Sequence, residues 1–148
     1  MHVYELLKEK NERYGLGIPP ASIAICGLLH DICKTNYYAR EKKWRKIDGK
    51  WVEKEVWVVD DKFPIGHGEK SMAILQRFIK LTDDELIAIR WHMAAFDAGI
   101  HFNYPSGYPF RLATKRVPLL TALITADMEA SNILEADDYN PNHKMSGN

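Results

Sequence analysis

Residues 24–34 read A-I-C-G-L-L-H-D-I-C-K, an apolar run that ends in an adjacent histidine and aspartate, His30 and Asp31. Burying a carboxylate costs several kcal/mol unless it is paired, hydrogen-bonded or metal-bound. The pair therefore demands partners. His67, His92 and Asp127 stand in apolar surroundings on three later predicted helices and are the candidates. Imidazole and carboxylate together suit a divalent cation such as Mn²⁺, Fe²⁺, Co²⁺ or Zn²⁺, and ligands projecting inward from facing helices are how bundles build mononuclear and dinuclear sites. The plainer alternative for each residue is a histidine or carboxylate satisfied by ordinary pairing.

The elements that must position these residues follow from periodicity. Val3, Leu6, Leu7 and Tyr14 predict a first helix, closed by Gly15-Leu16-Gly17. A second, apolar on nearly all sides, is expected over 22–34. Within 36–66 the helical pattern breaks, and 44–59 reads as a β-hairpin around Asp48-Gly49, a favoured two-residue turn. Helix resumes near His67 and runs to Ile79, and the capping box Thr82 to Glu85 opens another, which carries Ile89, Trp91 and His92. Residues 98–115 read as a long loop containing His101, and Pro118 as the first turn of a last helix over 119–129. The sum is an all-α helical bundle, one domain over 1–148, with a hairpin-bearing insertion at 36–66 and a weakly ordered tail at 132–148.

Twenty basic residues balance twenty acidic ones, which removes net charge as an argument for nucleic acid or membrane. No apolar run approaches the roughly 18 residues of a membrane span, and Cys26 and Cys33 read as buried free thiols of a reducing, cytoplasmic protein. Residues 40–50 hold six basic residues and Trp44, a pattern that fits nucleic acid, ranked behind an edge or lid that bounds a pocket or packs on a partner.

His30-Asp31 with Lys34 (H-D-x-x-K), then Gly66-His67-Gly68-Glu69, Trp91-His92 and Ile124-Thr-Ala-Asp127, in that order, resemble the HD-domain superfamily of metal-dependent phosphohydrolases. The resemblance covers about 3–131 and implies an HD-type helical bundle holding one or two divalent ions (Mn, Fe, Co, Ni, Mg or Zn). It places His30, Asp31 and Asp127 on a first ion, and His67 and His92 on a second bridged by Asp31. Asp31 and Lys34 would be catalytic, Lys34 with Arg90 or Lys70 would bind a phosphorylated substrate, a nucleotide first, and Glu69 and Asp97 would be the candidate proton donors or water-orienting groups. It also implies an upstream histidine that would fall just before Met1, so that the chain reads as shortened, with His2 one helical turn further on as the substitute. Two other functions fit the same residues. One is a di-iron oxygenase similar to myo-inositol oxygenase, and the other an inactive HD-type binding or structural module.

Overall fold

A computed structural model describes residues 1–97 and 108–135. Helices α1 (His2–Tyr14), α2 (Pro20–Leu29), α3 (His67–Leu75), α4 (Asp83–Trp91), α5 (Tyr108–Arg116) and α6 (Pro118–Glu129) form the body. Between α2 and α3 the chain leaves as a two-stranded antiparallel ribbon, β1 (Tyr38–Ile47) and β2 (Lys50–Val59). Short 3₁₀ turns at Ile32–Lys34 and Ala94–Phe96 follow α2 and α4, and a single π turn, Ala130–Leu134, follows α6.

The expected all-α class is corrected by the ribbon, whose strands are ten residues each and start at Tyr38 rather than at 44. Val52, Val56, Val58 and three tryptophans favour a pleated backbone. Asp48 (φ 48°) and Gly49 (φ 79°) both take the left-handed conformation that a tight hairpin turn demands. The register Ile47↔Lys50 through Tyr38↔Val59 follows from that turn. Helices packed beside such a ribbon are compatible with a helical bundle carrying a hairpin, but not specific to one fold family.

Leu7 of α1, Cys26 of α2, Ile89 of α4 and Leu120 and Leu123 of α6 are fully buried and meet in one core. Each large aliphatic side chain contributes about 1.5–3 kcal/mol on leaving water. The capping box at Thr82 forms as expected, and its Glu85 also accepts a hydrogen bond from buried Ser22 at 2.7 Å, which ties α4 to α2. Tyr14, expected in the α1 stripe, is instead exposed.

Three boundaries differ from the expected ones. Helix α2 stops at Leu29, so His30 caps it and Cys33 lies on the following 3₁₀ turn. Helix α3 ends at Leu75, four residues short of Ile79. The expected loop over 98–115 contains α5 from Tyr108 on, while 98–107, with His101, lies outside the described residues, as does the tail beyond 135.

Two glycines bring the backbones together where the site forms. A Cβ on Gly27 would sit 2.7 Å from Tyr4 Cα, so α1 and α2 cross at near-contact distance. A Cβ on Gly68 would sit 2.3 Å from the Arg90 carbonyl oxygen. Only a residue without a side chain lets the first turn of α3 lie against the last turn of α4. Gly68 follows His67, and Arg90 precedes His92 by two, so this contact sets the distance between the two histidines.

Candidate metal centre

His30, at the end of α2, donates its Nδ1–H to the Cys26 carbonyl at 2.9 Å. His92, at the end of α4, donates its Nδ1–H to the Ile89 carbonyl at 2.7 Å. A carbonyl only accepts, so in both rings the proton sits on Nδ1 and Nε2 is turned inward. Fixing the outer nitrogen in this way is how proteins prepare an imidazole as a ligand. His30 Nε2 lies 3.8 Å from Asp31 Oδ2 and 3.6 Å from Asp127 Oδ1, and His92 Nε2 lies 3.3 Å from Asp31 Oδ1. The two rings stand edge to face with centroids 5.0 Å apart.

His67, in the first turn of α3, completes the ring around Asp31, its Nε2 2.5 Å from Oδ1. Lys34 closes the outer side, Nζ 2.5 Å from Oδ2. Burial alone would push the Asp31 carboxyl up, but bonds from His67, His92 and Lys34 and the nearness of His30 outweigh it and hold Asp31 far below the usual carboxylate range. The bond to Asp31 is also the main reason His67 is pushed up to about 9. The His30 contact holds Asp127 below its ordinary value. For Lys34 the pull of Asp31 outweighs burial, and its pKa is raised.

The donor atoms fall into two groups of three within 4.8 Å, His30-Asp31-His92 and Asp31-Cys33-His67, which share Asp31. Asp127 approaches through His30 and stands outside both groups. Three imidazoles, two carboxylates and a thiol, with two imidazole Nε2 atoms held facing carboxylate oxygens, fit a divalent cation. The lone pair that takes a proton at each Nε2 takes a cation equally well. Among the described residues, no buried side-chain nitrogen or oxygen lacks a hydrogen-bond partner, so ordinary pairing also satisfies the cluster.

Comparison of the chain with protein-family models, with curated proteins and with solved structures yielded no match.

The structure thus brings His30, Asp31, His67, His92, Asp127 and Lys34 to one place, and Asp31, Lys34, His92 and Asp127 line a 670 Å³ cleft together with Met93, Ile124 and Met128. Arg90 lies beside His67 but is committed elsewhere. Its guanidinium pairs with Glu69 at 2.7 Å and with Asp97, and it lies over the Trp91 ring, 4.0 Å from the centroid. Glu69 and Asp97, the candidate proton donors, are thereby held as its counter-ions. Lys70 is likewise engaged by Asp61 and by the Tyr37 ring. His2 is exposed on the first turn of α1, beside Glu5, Glu9 and Leu134, and belongs to neither donor group.

One residue of the cluster was not legible as a site residue. Cys33 Sγ lies 3.4 Å from His67 Nδ1 and 3.6 Å from its Nε2. Burial pushes this thiol up, but bonds with His67 and Ser71 outweigh that and hold it below its ordinary value. The only signal in the sequence was its place two residues after Asp31, and the expected continuous helix pointed it into the core.

Proposed function

We propose that this chain is a metal-dependent hydrolase of phosphate esters, of the kind found in the HD-domain superfamily, with a phosphorylated small molecule such as a nucleotide as substrate. The observation that supports it most is the Asp31 carboxylate ringed by the imidazoles of His30, His67 and His92, two of them held by backbone carbonyls with Nε2 turned inward. Sequence order adds weight, since these residues and Asp127 occur in the order of the superfamily pattern.

In this reading His30, Asp31 and His92 would hold one cation, with Asp127 beside His30, and His67 would help to hold a second on the other side of Asp31. Such cations polarise a water as nucleophile and offset charge on the phosphoryl oxygens. The remaining work belongs to the chain. Asp31 fixes the spacing between the two sides. The Cys26 and Ile89 carbonyls hold the rings of His30 and His92 against rotation. Lys34, half exposed at the edge of the 670 Å³ cleft, presents an ammonium to the phosphate. Lys34 therefore carries the substrate-binding role, and Arg90, already paired with two carboxylates, serves to hold the α3–α4 junction.

A small molecule is preferred over nucleic acid because two of the three cations on the ribbon's aromatic face are paired within the ribbon. Arg40 pairs with Glu55 at 3.5 Å and Lys42 with Glu53 at 3.3 Å.

The test is anaerobic turnover of a panel of nucleoside monophosphates and p-nitrophenyl phosphate by the purified chain loaded with Mn²⁺, Fe²⁺, Co²⁺, Ni²⁺ or Zn²⁺. Metal-dependent phosphate release that Asp31→Asn abolishes is the expected result, with His67→Ala and His92→Ala each moving metal content towards one ion per chain. Substrate consumption only with iron and O₂ would favour the oxygenase instead. Failure to retain any metal would leave a binding module.

A further inference from the structure

We propose that Cys33 is a thiolate ligand on the His67 side of the Asp31 centre, so that this side takes a thiophilic divalent cation, Zn²⁺, Co²⁺ or Fe²⁺, in preference to Mg²⁺ or Mn²⁺. The inference rests on the metal reading above and adds a donor that the superfamily resemblance does not contain.

Geometry comes first. Asp31, Cys33 and His67 each place one donor atom within 4.8 Å of the other two. With metal–sulfur and metal–nitrogen bonds of about 2.3 and 2.0 Å, tetrahedral ligation separates sulfur from nitrogen by about 3.5 Å. Cys33 Sγ stands 3.6 Å from His67 Nε2, the nitrogen that also faces Asp31. Sγ is also 3.4 Å from Nδ1, so it lies beside the ring, and the His67 imidazole has to turn for its Nε2 lone pair and Sγ to meet one cation. The 2.5 Å contact between Nε2 and Asp31 Oδ1, a hydrogen bond, has to open as well, by roughly 1 Å at these bond lengths.

The placement of Cys33 is built rather than incidental. Because α2 stops at Leu29, the 3₁₀ turn Ile32–Lys34 swings Cys33 towards α3. Its backbone N–H donates to Ser71 Oγ at 3.3 Å, and Ser71 is fully buried on the helix that begins with His67. Turn and helix are therefore fixed to one another. Cys33 is 3% exposed yet lines a 460 Å³ cleft with Lys34, Tyr37 and His67, so a cation reaches it from that side.

Cys26 supplies the contrast within the same chain. It is wholly buried in the apolar core, burial drives its thiol up to about 12, and it belongs to neither donor group. The chain has only these two cysteines.

Ligation is redox-neutral. The Sγ–H proton passes to solvent as the sulfur–metal bond forms, and thiolate and Asp31 carboxylate balance the two charges of the cation. Soft sulfur widens the preference for Zn²⁺, Co²⁺ and Fe²⁺ over Mn²⁺ and Mg²⁺ beyond what imidazole and carboxylate give alone.

The experiment titrates Co²⁺ into the reduced full chain under nitrogen, with equilibrium dialysis to count bound ions and near-ultraviolet absorption to detect thiolate-to-cobalt charge transfer. Charge transfer is expected in the wild type and in Cys26→Ser, and absent in Cys33→Ser, whose Zn²⁺ affinity falls at least about tenfold. X-ray absorption of the Zn²⁺-loaded wild type needs no variant and is expected to show one sulfur at about 2.3 Å. Bound Co²⁺ without the charge-transfer band, a nitrogen–oxygen shell alone around Zn²⁺, or a band that survives in Cys33→Ser overturns the proposal and leaves the metal reading standing. No bound Co²⁺ by dialysis overturns both.

Discussion

The Asp31 cluster and the β1–β2 ribbon are adjacent in the chain and opposite in construction. In the cluster each polar group meets a partner from a different element: His67 from α3, His92 from α4, Asp127 from α6. In the ribbon the partners are its own. Among the described residues, ladder bonds join only β1 to β2, and Trp44, Trp51 and Trp57 are each more than 60% exposed. The cluster therefore depends on the whole helical body holding its shape, while the ribbon depends on a turn and a register. Damage to one should leave the other standing.

The largest effect is expected from Asp31→Asn. Both donor groups share this carboxylate, so one substitution weakens two sites together. Altering groups that merely orient a ligand costs 10–100-fold in metal affinity. Removing the shared charge is expected to cost more than about 100-fold, read as loss of bound metal after gel filtration. Retention of two ions would show that the two halves of the cluster are independent.

Gly68→Ala comes next. The added methyl meets the Arg90 carbonyl oxygen, a backbone atom that moves only with α4. The expected cost is about 1–3 kcal/mol in urea unfolding, together with weaker metal binding as His67 moves away from His92. The matched test on the ribbon is Gly49→Asn, a residue that tolerates the left-handed conformation, where nothing lies within 4 Å of an added Cβ. There the melting temperature is expected to stay within a few degrees of the wild type, since surface substitutions away from special features fall within about 0.5 kcal/mol.

These two glycines also mark how much was legible in the sequence. The Asp48-Gly49 turn, the Thr82 capping box and Pro118 at the start of α6 are local features, and local chemistry places them. The cluster members could be named because isolated polar residues in apolar helices need compensation. Their grouping could not. Which histidine faces which carboxylate depends on the α3–α4 crossing that Gly68 permits, a contact between residues 22 apart in the chain (68 and 90). Cys33 was missed for the same reason. A helix continued to Lys34 aims it one way, and a helix stopped at Leu29 aims it another. The start of β1 at Tyr38 was missed because Arg and Lys dominate the strand and mask its alternation. The pairing of Arg90 with Glu69 and Asp97 was not legible because these counter-ions lie 21 and 7 residues away.

A smaller effect, in the metal-free protein, separates the regions by pH. The folded-state pKa of His67 is raised from 6.5 to about 9, chiefly by its bond to Asp31. Its contribution to stability is therefore fully present below pH 6.5 and is lost as pH rises through about 9. Asp31, held low, contributes above its unfolded value of 3.8 and loses that contribution as pH falls. The Cys33 thiol, lowered from 9.0, works against His67 over the upper range, so the measurement belongs in a Cys33→Ser background. In chelator, the melting temperature of that variant is expected to fall as pH rises above 6.5, over a narrower range than the wild-type His67 shift would give because Cys33 also raises His67, and the fall to flatten when His67 is also changed to Asn. An unchanged slope would assign the titration to groups outside the cluster.

The smallest effect is expected from removing the ribbon. Asp60 N–H donates to the Tyr37 carbonyl at 2.9 Å, so the two ends of the excursion already touch, and a short glycine link can replace 38–59. Deleting a two-stranded sheet that pairs only with itself removes little from the core, since Leu7, Ile89, Leu120 and Leu123 all lie in helices. The shortened protein is expected to unfold in one transition with a slightly lower denaturant dependence, because less surface is exposed on unfolding. Metal content and the pH 6.5–9 slope are expected to be those of the full chain. Metal loss on excision would be the informative failure. Tyr37 stacks against Tyr38 and also carries Lys70 over its ring, while Tyr37 and Tyr38 line the cleft next to His67 and Cys33. The dependence would then run through the root of the ribbon. Keeping Tyr37 and Tyr38 while removing 40–57 tests that: recovery of metal content assigns the role to the two tyrosines, and continued loss assigns it to the strands themselves.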